Sequence, residues 1–152
     1  MQSTISQLIH QLQKTYNGAA WHGPNMVETL ADITTEQATK RVGACNNIAE
    51  LVHHIYAWRI FIIKRFSGEG EFEVSDDFNF KSFGNLDAAT WDALKDKLAQ
   101  SQDQLIETVK KINPKKLSDQ VINRNYTHLD LLHGIIHHDL YHSGQIALLK
   151  KC

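Results

Sequence analysis

Apolar residues recur at helical spacing along four long stretches of the chain, and no segment shows the sustained alternation of a strand. The first stretch runs from about Thr4 to Tyr16, with Ile5, Leu8, Ile9 and Leu12 on one face, and stops at Asn17-Gly18. WHGPNMVETL then reads as a loop and a short helix. Thr34 with Gln37 has the form of a capping box for a further short turn. A second long helix is expected from the N-cap Asn47, with Glu50 three residues on, through IAELVHHIYAWRIFIIKRF to Ser67-Gly68. Residues 68–84, polar and glycine-containing with interspersed Phe, read as an irregular loop whose aromatics cap one end of the core. A third helix is expected from near Asp87 to the stop at Asn113-Pro114, its buried stripe formed by Trp91, Leu94, Leu98, Leu105 and Val109. A fourth opens at Thr127, with Asp130 in the capping-box position, and continues to the end of the chain. The expected class is all-α, a four-helix bundle, in which sites are built from side chains on facing helices.

Length and charge narrow this picture. At 152 residues, one domain spanning 1–152 is expected. It would bury roughly 70% of the surface its unfolded chain exposes, enough to fold without staples. Sixteen Lys and Arg against seventeen Asp and Glu leave a net charge of -1, which offers no broad electrostatic footprint for nucleic acid. Cys45 and Cys152 have neither disulfide-framework nor zinc-finger spacing. The segment MQSTISQLIHQLQK lacks the apolar run of a signal peptide. The most apolar run, IYAWRIFII, carries Arg59 and is far too short to span a bilayer. A cytoplasmic location without membrane or nucleic-acid partners is therefore expected.

Nine histidines is the one unusual count, and their positions give it meaning. His138 and His142 stand four apart on the fourth helix, so their Cβ atoms lie about 5–6 Å apart on one face. Leu131, Ile135, Ile146 and Leu149 share that stripe and turn the pair inward. Burying a polar group without a partner costs about 1–3 kcal/mol, and a metal ion would satisfy both rings at once. Separate hydrogen bonds to neighbours would also do so. On the second helix His54 shares a face with Leu51, Trp58 and Phe61, whereas His53 points about 100° away with Ala49, Ala57 and Ile60. Both faces are apolar, so periodicity leaves the choice open; the bulkier stripe favours His54. Tyr141 and Gln145 are candidates to hold a ligating imidazole in place, since such rings give their other N–H to a nearby acceptor. Asp139 and Glu50 are the nearest carboxylates, Asp139 reading as a solvated helix residue and Glu50 as a cap. His10, His22, His128, His133 and His137 share no spacing with the ligand face and are expected at the surface or in packing roles.

The segments NIAELVHHIYAWR and LLHGIIHHDLYHSGQIALLKK resemble the two signature helices of the DinB-like superfamily of metal-dependent enzymes. WHGPNMVETL is similar to that family's loop after the first helix, so the resemblance covers about Trp21 to Lys151. The run H-D-x-Y-H-x-G-Q-I is its most specific part. The resemblance implies a four-helix bundle of up-down-down-up order, often as a homodimer. It also implies a metal triad of one His on the second helix and both of the H-x-x-x-H on the fourth: His54, His138 and His142. This settles His54 over His53. A further His often found at the start of the family's second helix is replaced here by Asn46 and Asn47.

Three nitrogen ligands leave a divalent ion open to water or substrate, the arrangement of catalytic rather than structural sites. Imidazoles suit Zn, Ni, Fe and Cu, with Zn or Ni the expectation. A bound water with its pKa lowered to about 7, or an activated thiolate, would be the reacting group. The resemblance thus implies hydrolysis, or transfer of a low-molecular-weight thiol to a small electrophilic substrate. The other reading from a different class is a non-catalytic metal or small-molecule binding module in a stress response. A bundle with merely structural core histidines would need no metal at all.

Overall fold

Each α-helix in the structure begins at a Ser, Thr, Asn or Asp whose side chain accepts a hydrogen bond from a backbone N–H of the first turn. The computed structural model describes residues 3–152. Met1 and Gln2, which open both the amphipathic first segment and the single domain expected from the sequence, lie outside the described residues. The helices are α1 (Thr4–Tyr16), α2 (Met26–Leu30), α3 (Thr35–Thr39), α4 (Ile48–Phe66), α5 (Asp76–Asn79), α6 (Ala88–Lys110) and α7 (His128–Leu149). A 3-10 turn at Pro114–Lys116 precedes α7. Among the described residues no strand forms, so the class is all-α. No helix among the described residues is long and apolar enough to cross a membrane.

Reciprocal capping boxes start α2 (Asn25 with Glu28), α3 (Thr34 with Gln37), α4 (Asn47 with Glu50) and α7 (Thr127 with Asp130). These pairs fix where α4 and α7 begin, and so which residues face inward along them. α4 packs against α6 and α7, and α1 packs against the same two, closing a ring of four long helices. The short α2 leans on α7 and α1, α3 on α4 and α6, and α5 on α4.

Two apolar clusters fill the ring. One gathers Tyr16 of α1, Ile48 to Ile55 of α4, Trp91 to Leu98 of α6 and Ile146 of α7. The other takes Leu8 and Leu12 of α1, Phe61 and Ile62 of α4, Leu105 and Val109 of α6 and Leu132 to Ile136 of α7. On every long helix a buried polar step separates them. Arg59, nearly inaccessible, donates from Nε and Nη2 to Asp139 Oδ2 (3.0 and 2.7 Å) and from Nη1 to the Leu98 carbonyl (3.2 Å). Its guanidinium lies 4.9 Å from the Tyr16 ring centre. Gln102 Nε2 donates to the Leu12 carbonyl at 3.0 Å.

Several expectations change. Residues 68–84 are not wholly irregular: Ser75 caps the short α5, and Phe78 within it, with Phe80 and Phe83 beyond it, turns onto α4. Leu131 and Leu149 are half-buried rather than core: they lie in the first and last turns of α7 and pack against the edges of the two clusters. Asp139 is not solvated; it is 3% exposed because Arg59, four helical positions past the apolar face of His54's neighbour Ile55, reaches across to it.

Candidate metal centre

α4 and α7 meet along the faces that carry the histidines. The i, i+3, i+7 positions Leu51, His54 and Trp58 aim at α7, and His138 and His142 aim back from successive turns. His54 and His142 are buried at 6% and 7% exposure, and the His138 side chain is 23% exposed. The three rings each place a nitrogen within 4.8 Å of the other two. Their ring centres are 4.5 to 4.9 Å apart. Here the expected trio is brought together. His53 faces elsewhere: its Nε2 lies 3.0 Å from the Phe78 carbonyl and its ring meets Phe78 and Phe83 edge-on, so it anchors the loop beside α5.

The donor set fits an ion. His54 Nε2 and His138 Nε2 face one another at 3.0 Å. Two nitrogens each about 2.0–2.1 Å from one ion stand roughly 3 Å apart. A direct N–H···N bond could satisfy only that one contact. The outward Nδ1 atoms of both rings are buried with no hydrogen-bond partner, which is costly for any neutral tautomer. His142 Nδ1–H donates to Gln145 Oε1 at 2.7 Å, leaving Nε2 with its lone pair for a metal.

Neighbouring groups hold these rings in place. Phe80 stacks on His54 with ring centres 4.1 Å apart and planes within 6°. Trp58, whose Nε1–H donates to Asn79 Oδ1 at 3.0 Å, meets the His54 ring edge-on. Asp139 Oδ1 lies 3.7 Å from His138 Nδ1, and neither atom has another partner. Tyr141 touches the His142 ring edge-on, at 5.0 Å between centres, but is 65% exposed. Glu50 is a cap, as expected, and also pairs with Arg41. His10, His22, His133 and His137 are exposed and His128 half-buried, with His128 Nδ1 2.9 Å from the Lys116 carbonyl.

Burial sets the electrostatics. His54 is pushed down to about 4 from 6.5, first by desolvation and then by the neighbouring charges of His138 and His142, with Asn79 opposing. His142 is also lowered by burial, against the opposing hydrogen bond to Gln145. Neutral imidazoles are the ligand form.

Sequence reasoning missed the Arg59–Asp139 pair. An Arg on an apolar helix face was the available signal, since a buried guanidinium requires a carboxylate partner. Asn79 and Phe80 carried no signal, because their place depends on how the 68–84 segment folds back.

An all-helical chain with three converging imidazoles has the make-up of a metal-binding protein, able to hold a divalent ion between two helices. The chain belongs to the DinB superfamily, whose sequence model matches residues 20–146. No curated protein and no solved structure matches it.

Proposed function

We propose that this chain is a metal-dependent enzyme in which His54, His138 and His142 hold one divalent ion, Zn or Ni, for hydrolysis or for transfer of a low-molecular-weight thiol. The observation that carries this reading is the meeting of three imidazole nitrogens with a partly exposed member, His138, at an open pocket. A divalent ion there supplies Lewis acidity, lowering the pKa of a water or a thiol. The protein's own residues do the rest. Gln145 accepts from His142 Nδ1 and so fixes the tautomer that leaves Nε2 free. Asp139, neutralised by Arg59, stands ready to accept from His138 Nδ1. Phe80 and Trp58 keep the His54 ring from turning and exclude water from its faces.

Membership in the family and the positions of the two apolar clusters support a four-helix bundle of up-down-down-up order. The first cluster takes the C-terminal parts of α1 and α7 but the N-terminal parts of α4 and α6. α4 and α6 therefore run together, opposite to α1 and α7, and the long connection 67–87 is the crossover such neighbours need. A single domain and a homodimer complete the reading, the latter tested by light scattering of the eluting protein.

A non-catalytic binding module is the second reading. It is favoured by one observation: Asp139, the carboxylate nearest the cluster, is buried with one oxygen on Arg59 and the other beside His138 Nδ1, an arrangement that supports a ligand ring rather than a base facing a substrate. Turnover decides. Protein reconstituted with Zn or Ni is expected to couple a thiol to a model electrophile, or to cleave members of an ester and amide panel, and His142→Ala to abolish this. Metal-loaded protein inert on both panels would overturn the enzymatic reading and leave the binding module.

A further inference from the structure

A cavity of about 420 Å³ opens beside His138, between α4 and α7. Its size is that of a small-ligand site. The walls are Trp58, Ile62, Leu131 and Ile135, with Gly134 between them. Among the three clustered imidazoles only His138 lines it, and His138 is the most exposed of the three. Whatever fills the cavity therefore touches the histidine cluster through that ring.

Two features of its walls bear on what this open cavity can hold. Trp58 is a fixed wall: its indole N–H is tied to Asn79 and its ring packs edge-on against Phe61. Gly134 is the second. A glycine in the middle of a helix costs about 1 kcal/mol relative to alanine. Its φ is not positive, and a Cβ built on it would meet no atom within 4 Å. Neither backbone nor packing calls for glycine at this point; it lines the cavity, and a longer side chain here would have open space to occupy. The polar rim consists of Tyr126 and Asp130. Asp130 is held in its charged form by the Thr127 hydroxyl and N–H, with a further contribution from His133. A carboxylate there disfavours an anionic guest and tolerates a neutral or cationic one.

We propose that this cavity receives the apolar arm of the substrate, an aromatic or branched-alkyl group that is neutral or cationic and not anionic. The assignment rests on the reading of the neighbouring histidines as the reacting centre, but the binding itself needs no metal. The test uses benzyl alcohol, benzylamine and benzoate, titrated separately into metal-free and metal-loaded protein and followed by NMR shifts of the Trp58 indole N–H and the Ile135 methyls. Benzyl alcohol and benzylamine are expected to shift these signals, with benzoate at least tenfold weaker. Gly134→Leu should weaken benzyl alcohol at least tenfold while metal content per chain stays unchanged. Leu131→Trp, which fills the cavity from its half-buried edge, is the second variant should the first fail to fold.

Equal binding by wild type and either folded variant, benzoate binding as tight as benzyl alcohol, or shifts confined to other residues would each overturn the proposal. Probe binding by a protein that takes up no metal would sink the metal reading and leave the cavity assignment standing. Turnover by a metal-loaded protein that ignores the probes would do the reverse.

Discussion

Asp139 accepts two hydrogen bonds on Oδ2 from Arg59, while Oδ1 has no partner and lies 3.7 Å from the equally unpartnered His138 Nδ1. A small closing motion would turn these two orphans into the acceptor and donor that ligating histidines commonly use. Asp139→Asn is therefore expected to lower Zn affinity by about 10–100-fold, read by competition with a chromophoric chelator. It should also cost stability, because Arg59 would be left buried without its counter-charge; such losses run at about 3–5 kcal/mol. Loss of stability with unchanged Zn affinity would make the pair purely structural. The same cluster makes metal-free protein acid-sensitive. His54 titrates at about 4 in the folded chain and near 6.5 when unfolded, so the unfolded state binds the extra proton between those values. Stability is then full above about pH 6.5 and lost as pH falls toward 4, by about 3 kcal/mol from this ring alone. Urea midpoints of metal-free wild type should fall across that window, and those of His54→Gln should fall less. Parallel pH profiles for the two proteins would refute the assignment.

The helices themselves were written plainly in the sequence. Their bounds follow from local signals: Asn47 with Glu50 and Thr127 with Asp130 form the reciprocal boxes that their spacing announces. His138 and His142 were legible for the same reason, since a helix fixes which residues share a face. His54 was not, because both histidine-bearing faces of its helix are apolar, and only the bulk of its stripe and the family resemblance favoured it over His53. What was not legible depends on contacts distant in sequence. α5 and the stacking of Phe80 on His54 arise from a segment without periodicity, held to α4 by His53 at the Phe78 carbonyl and by the Trp58 indole N–H on Asn79. Asn47 adds to these, its side-chain amide donating to the Phe83 carbonyl at 3.2 Å. His53→Ala should therefore speed amide hydrogen exchange in residues 68–84 by at least tenfold and leave exchange in the middle of α6 unchanged, with one metal ion still bound per chain. Loss of the metal with no change in exchange would show that His53, and not the loop, serves the centre.

Viewed across the whole molecule, the polar layer of Arg59, Asp139, Tyr16 and Gln102 draws on all four long helices and lies against the histidine cluster. Sequence patterning marks such residues only as breaks in an apolar stripe; their partners sit 80 or 90 positions away. Because the imidazoles come from α4 and α7, an ion held by all three would tie together the two helices whose contact closes one side of the ring. In the unfolded chain His54 and His138 are separated by 84 residues, so the full ligand set exists only after folding and binding must favour the folded state. At free Zn one hundred times its dissociation constant the gain is about 2.7 kcal/mol. For a chain of this size that raises Tm by roughly 5–10 °C. His138→Ala and His54→Ala, each removing a ligand from a different helix, should both lose this metal-induced rise, whatever their own metal-free Tm. His133→Ala, an exposed histidine on α7, should keep it. A rise that survives in the first two variants would mean the ion binds elsewhere, and the bridge between α4 and α7 would have to be abandoned.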